Sequence, residues 1–213
     1  VKLYDYFRSS AAFRVRIALN LKGLALERVS VHLRKGGQRA SEYLSLNPQG
    51  LVPALVTDEG NVLTQSLAII EWLDETYPQP PLLPSDRSGR ARVRSIALAI
   101  ACDIHPIDNL RVLNYLTGTL GATDEQRNGW YKYWIDVGLE ALETRLAQDA
   151  ATGRFCHGER PTLADVCLVP QLANARRVAF DLTPYPTLMR IEAACLALPA
   201  FADAAPAKQP DAE

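Results

Sequence analysis

The sequence predicts an α/β first half followed by an all-helical second half, and three observations carry that prediction. Short apolar runs of strand length alternate with helical patterns as far as Tyr77. A proline-rich break, Pro78-Gln79-Pro80-Pro81-Leu82-Leu83-Pro84-Ser85, then interrupts the chain and cannot continue a helix. Beyond it strand signals nearly vanish and long helical periodicities take over. These features predict a first domain over 1–79, a linker over 80–89 and a second domain over 90–213.

The elements follow in order. Residues 1–7 read as a strand, Arg8-Ser9-Ser10 as a polar hinge, and 14–22 as a helix with Gly23 in the stop position. Residues 27–33 alternate apolar with polar over most of their length, the pattern of a half-buried strand. A loop over 34–38 precedes a short helix over 40–46, ended by Asn47-Pro48. The runs 52–56 and 61–64, separated by Thr57-Asp58-Glu59-Gly60, read as a hairpin. Ser66 is placed to cap a helix running to Tyr77. The order β-α-β, α, β-β-α is that of a thioredoxin-like domain. In the second half, helical periods cover 87–116, 124–147, 162–177 and 186–196. Thr123-Asp124-Glu125-Gln126 and Thr162-Leu163-Ala164-Asp165 read as helix starts of the capping-box kind. The Ala/Pro-rich tail after Ala202 reads as disordered.

Composition narrows the function classes. The chain has 213 residues, of which 48% are hydrophobic, enough for a sizeable core. A formal net charge of -1 supplies no single-sign field for nucleic acid or an anionic membrane. No apolar run approaches the roughly 18 residues that span a bilayer, and no secretory leader pattern opens the chain. Cys102, Cys156, Cys167 and Cys195 form no CxxC pair and have no metal-like His spacing. They read as reduced thiols of a cytoplasmic protein that binds no metal.

Three places carry chemistry. At Arg8-Ser9-Ser10 a strand hands over to a helix N-terminus, where free N–H groups and the helix dipole favour an anion. A thiolate is such an anion, and the turn contains no cysteine, so any thiolate used there arrives on a cofactor. Val52-Pro53 is either a plain edge-strand proline or a cis-proline that offers Val52's backbone to a peptide-like ligand. Gln65-Ser66 is either an ordinary helix cap or a carboxylate site. Gln38 and Gln49, in loops flanked by Gly or Pro, are solvated side chains or ligand contacts. A thiolate site, a backbone-pairing site and a carboxylate site on one sheet edge are what glutathione requires.

On these segments the chain resembles the zeta-class glutathione transferases. The resemblance rests on Tyr6-Phe7-Arg8-Ser9-Ser10 leading into Arg14-Val15-Arg16-Ile17-Ala18-Leu19, on Asn47-Pro48-Gln49-Gly50-Leu51-Val52-Pro53 and on Gln65-Ser66-Leu67-Ala68. It extends through Asp103-Ile104-His105-Pro106 and Asn174-Ala175-Arg176-Arg177 to Asp181-Leu182-Thr183-Pro184-Tyr185-Pro186, essentially the whole chain. It implies a thioredoxin-like domain followed by an all-α domain. It also implies a homodimer and glutathione as cofactor. The implied activity is cis–trans isomerisation of a diketo acid, maleylacetoacetate to fumarylacetoacetate, in aromatic amino acid breakdown. Maleylpyruvate isomerisation, glutathione transfer or dehalogenation, and a non-catalytic interaction role are the alternatives. By position, Ser9 lies nearest the glutathione sulfur with Ser10 beside it, and Val52 with Pro53 pairs with the tripeptide backbone. Gln65 and Ser66 hold its γ-glutamyl end, Gln38 and Gln49 lie along it, and His105 and Asn109 border the site. Arg177, with Arg8 and Arg111, is the expected clamp for the substrate's carboxylates, since an arginine fork matches a carboxylate. Many zeta enzymes carry a cysteine directly after the two serines; here that place is Ala11.

Overall fold

The computed structural model describes residues 1–213, and the chain folds as two compact units. One comprises Val1–Pro81 with Ala197–Glu213, the other Leu82–Leu196. The C-terminal segment, expected with the second domain and expected to be disordered, is an ordered part of the first unit.

In the first unit, β1 (Lys2–Asp5), β2 (Glu27–Ser30), β3 (Ala54–Val56) and β4 (Val62–Thr64) form one mixed sheet in the order β2-β1-β3-β4. β1 pairs parallel with β2, Leu3 opposite Arg28, and antiparallel with β3, Leu3 opposite Leu55; β3 and β4 form the hairpin. All four strands are shorter than the sequence runs that predicted them. The run over 27–33 ends as a strand at Ser30, and Leu33–Lys35 is a 3-10 turn. Helix α1 (Ser10–Leu21) packs on α3 (Ser66–Thr76), with Val15, Ile17, Leu19, Ile69, Ile70 and Leu73 at most 1% exposed. Each such side chain contributes about 1.5–3 kcal/mol by leaving water. Tyr6, Phe7, Val31, Tyr43 and Val52 form a separate buried cluster. The short helix α2 (Ser41–Leu46) supplies Tyr43, whose hydroxyl donates to Leu51 O at 2.6 Å. At the far end of α1, buried Lys22 donates to Asp74 Oδ1, Tyr77 O and Pro80 O, all at 2.6 Å, which uses its three donors. Gly23, at φ 65°, takes the left-handed stop position that its sequence context predicts.

In the second unit, α4 (Arg87–Leu98), α5 (Leu110–Gly118), α6 (Asp124–Gln148), α7 (Leu163–Arg177) and α8 (Pro186–Leu196) surround a core centred on α7. The single helix expected over 87–116 is broken. A π-helical turn at Ala99–Ile104 and a 3-10 turn at His105–Asp108 separate α4 from α5. Pro106 supplies no N–H to continue the helical ladder, and Asn109 then caps α5 through bonds from Arg111 N and Val112 N. Trp130 Nε1 donates to Ile107 O at 2.9 Å and holds the turn. Gly138 of α6 makes room for buried Ile104; a Cβ there would lie 2.3 Å from Ile104 Cδ1. Both predicted helix starts are formed. Thr123 and Gln126 bond reciprocally, and the Asp165 carboxylate accepts from Thr162 N, Thr162 Oγ1 and Cys156 N. The short α9 (Pro199–Ala202) returns to the first unit and packs on α1.

Candidate active site

Ser9 is the N-cap of α1: its Oγ accepts from Ala12 N at 3.2 Å, and its own N–H donates to Tyr6 O at 2.9 Å. The helix therefore begins at Ser10, four residues earlier than expected, and the hinge is its cap. A hydroxyl that accepts a helix N–H keeps its proton free to donate outward, at the positive end of the dipole. Ser10 lies inside the first turn and is 9% exposed, whereas Ser9 is half-exposed. Of the two adjacent serines, Ser9 is thus the more accessible. Arg8 is also half-exposed; burial raises the Tyr6 pKa, and the Arg8 charge works against that rise.

The second anion position is the start of α3. Gln65, rather than Ser66, is its N-cap residue, and Gln65 has φ 69°, a backbone conformation that costs energy for a residue with a Cβ. Ser66 is the first helical residue, and its Oγ accepts from Arg14 Nη1 at 3.3 Å. Arg14 is 1% exposed, so a buried cation joins the N-termini of α1 and α3. Gln65 Nε2 donates to Gln49 Oε1 at 3.1 Å. Gly50 packs so closely on the Gln38 carbonyl that an added Cβ would lie 3.0 Å from it. The glutamines from three separate loops are thus joined along the chain's own contacts. Gln38 Oε1 is buried with no hydrogen-bond partner. Val52, joined to Pro53 by a cis peptide bond, precedes the paired register of β3, which starts at Ala54.

The second unit carries the expected cation. Arg177 ends α7, and its Nη2 donates to Tyr131 Oη at 2.9 Å and to Asn174 Oδ1; Tyr131 Oη donates to the same Asn174 oxygen at 2.7 Å. The guanidinium is tethered at one nitrogen and otherwise exposed, and its planar fork has the shape that pairs with a carboxylate. Its neighbour Arg176 instead pairs with the buried Glu192 carboxylate and fastens α7 to α8. Arg111 is exposed on the first turn of α5. Asn109 spends its side-chain oxygen on capping α5, leaving only its amide nitrogen for a ligand. His105 stands in the 3-10 turn. Tyr131 and Asn174 are not among the site residues that the sequence predicts. Asn174 stands three residues before Arg177, a same-face helical spacing that could have been read; Tyr131, on another helix, left no local signal. Nor is Asp108 among the predicted site residues; it is 3% exposed with both carboxylate oxygens unpartnered. Burial pushes its pKa up to about 7. Tyr131 is also raised by burial, against the pull of Arg177.

Residues 8–76 match the family model for the glutathione S-transferase N-terminal domain, and residues 135–203 match that for the C-terminal domain. The chain belongs to the glutathione S-transferase family. It resembles the zeta class within that family. It is 52% identical, at a TM-score of 0.97 and with both chains fully covered, to a holo structure of a maleyl pyruvate isomerase described as a bacterial zeta-class glutathione S-transferase. A maleylacetoacetate isomerase from Methylobacterium extorquens AM1, solved with bound malonate and glutathione, is 46% identical at a TM-score of 0.98, again over the whole of both chains. A Vibrio cholerae protein named "Probable maleylacetoacetate isomerase" is 56% identical over 212 residues, 99% of this chain and 97% of that one. The two domain matches account for an α/β unit followed by a helical one. No group of His, Cys, Asp and Glu in this transferase could hold a metal ion. No helix is long and apolar enough to cross a membrane.

Proposed function

We propose that this transferase is a glutathione-dependent cis–trans isomerase converting maleylacetoacetate to fumarylacetoacetate. The observation that carries the reading is the presence in one chain of a hydroxyl-capped helix start without a cysteine and a tethered, otherwise open Arg177. Full-length similarity to proteins named for this activity supports it.

The residues fit glutathione. The γ-glutamyl carboxylate finds the start of α3 with Arg14 behind it, and the unpartnered Gln38 Oε1 offers an acceptor. The Val52 main chain, ahead of the β3 register, suits a peptide backbone. When bound, glutathione supplies a thiolate whose reversible addition to the conjugated double bond permits rotation. Ser9 donates its free proton to the sulfur and, with the α1 N–H groups, favours the charged form. Arg177 anchors a substrate carboxylate, and Tyr131 and Asn174 fix the fork in place. Arg8 and Arg111 are the further cations assigned to the substrate's carboxylates. Maleylpyruvate, a shorter diketo acid, is the second reading, favoured by the neighbour of that activity at 52% identity. A homodimer and a cytoplasmic location belong to the same proposal.

The test is a side-by-side assay of both diketo acids and an uncharged haloarene with the Arg177→Ala variant. A charge-assisted bond of about 1.5–3 kcal/mol predicts a KM for the diketo acid raised roughly tenfold to a hundredfold, with the haloarene little affected. Equal damage to charged and uncharged substrates would show that Arg177 serves the fold instead.

A further inference from the structure

The C-terminal segment of the first unit reaches the hinge through a set of polar contacts that neither the fold nor the proposed chemistry explains. Phe7 lies between the end of β1 and Ser9, and both of its peptide groups are gripped by charged side chains. Its N–H donates to Asp211 Oδ2 at 3.1 Å, and its carbonyl accepts from Arg16 Nη2 at 3.0 Å. Arg16, 2% exposed, is itself held by Asp5 Oδ1 at 2.8 Å and by Ala204 O at 3.0 Å. Arg28 bridges the same groups from β2. It pairs with Asp5, donates to Gln209 Oε1 at 2.6 Å and approaches Asp211 Oδ1 at 3.4 Å. Ser30 Oγ donates to Asp211 Oδ2 at 3.0 Å. Gln209 in turn donates to Asp203 O and Ala205 O, which folds the segment back on itself.

Phe7 is 6% exposed, so its N–H would otherwise be a buried donor without a partner. The acceptor that fills this need comes from a residue 204 positions away. Two residues further on, Ser9 depends on the same turn, because its N–H closes onto Tyr6 O. We propose that Asp211 is a positioning residue for the glutathione site: by holding the Phe7 peptide it sets the Ser9 hydroxyl at the start of α1.

The groups facing Asp211 are Arg28 and Ser30 from β2 and the Phe7 amide from the hinge, with Asp5 and Arg16 behind them. Arg28 offsets its charge, so Asp211 acts on the hinge through one hydrogen bond and its alignment. Neighbouring Glu213, bonded to His32 at 2.7 Å, fastens the segment further along the same edge.

The inference rests on the proposed use of glutathione, and its test separates the two. In the ligand-free protein, hydrogen exchange at the Phe7 and Ser9 amides reads the hinge directly. Asp211→Ala is expected to raise exchange there by about tenfold, the scale of one hydrogen bond, while Asp211→Asn, which keeps an acceptor, stays near wild type. Lys208→Ala removes an exposed contact of the same segment with Asp203 and should leave the hinge unchanged. In the glutathione complex, ultraviolet titration of the bound thiol should show its ionisation moved to higher pH in Asp211→Ala, with kcat lowered and KM for the diketo acid unchanged. If Asp211→Ala lowers only Tm and leaves both hinge exchange and thiol ionisation at wild-type values, the positioning role is overturned. If Asp211→Asn behaves like Asp211→Ala, charge rather than the Phe7 bond is at work and the role is likewise overturned. A wild-type protein that protects its hinge but binds no glutathione would refute the proposed function and leave the hinge finding standing.

Discussion

Replacing Asp108 by asparagine should stabilise the protein, and more strongly as the pH rises. Asp108 is 3% exposed, neither carboxylate oxygen has a partner, and burial pushes its pKa up to about 7 against 3.8 for an ordinary Asp. An unfolded chain releases this proton near 3.8 and the folded chain holds it to about 7. Between those values the folded state binds more protons, so stability falls as pH rises through the window and stays low above it. Linkage with these two values gives a penalty of about 2 kcal/mol at pH 5 and about 4 kcal/mol at pH 8. Asparagine carries no such penalty, and the cost of burying its amide is the same at both pH values. The stability advantage of Asp108→Asn should therefore widen by about 2–3 kcal/mol from pH 5 to pH 8, or about 5–10 °C in Tm for a chain of this size. Thermal unfolding of both proteins by circular dichroism across that range, at constant ionic strength, reads this directly. A Tm difference that does not change with pH would show that Asp108 ionises as a solvated carboxylate and that the burial argument is wrong.

Three further substitutions probe other parts of the structure. Gly138→Ala places a Cβ against buried Ile104 and should cost about 1–3 kcal/mol, seen as a lower Tm despite alanine's better helix propensity. Ala179 follows α7 at φ 50°, where its N–H bonds to Arg176 O and the Phe180 N–H to Ala175 O; Ala179→Gly should raise stability by about 0.5–1 kcal/mol in the same measurement. Tyr131→Phe removes one tether of Arg177 and should raise KM for the diketo acid about threefold to tenfold, while glutathione affinity measured by calorimetry stays constant.

The element order of the first unit was legible because Gly, Pro and Asn punctuate short apolar runs there. The start of α1 was not. Eight consecutive positions, Ala12 to Leu19, show why: Arg14 and Arg16 are buried along with Phe13, Val15, Ile17 and Leu19, so the helix has no polar face there to announce its period. The tail after Ala202 has the composition of a disordered segment, yet individual long-range bonds to Arg28 and Phe7 anchor it, and composition carries no trace of them. The break before α5 was written in His105-Pro106 and Asn109 but hidden by the helical period on both sides. The hinge and the Gln65-Ser66 turn were readable as local motifs. Tyr131 became visible only once α6 and α7 were folded, since it meets Arg177 across 46 positions.

The central claim is that this chain borrows its thiolate from glutathione and returns it. Ultraviolet-monitored conversion of maleylacetoacetate, run with and without glutathione and followed by quantification of free glutathione, tests it most directly. The account predicts no isomerisation without thiol, and full turnover with all glutathione recovered. It also predicts a loss of about tenfold to a thousandfold in kcat/KM for Ser9→Ala. Isomerisation that survives complete removal of thiols, or glutathione consumed in proportion to product, would contradict it.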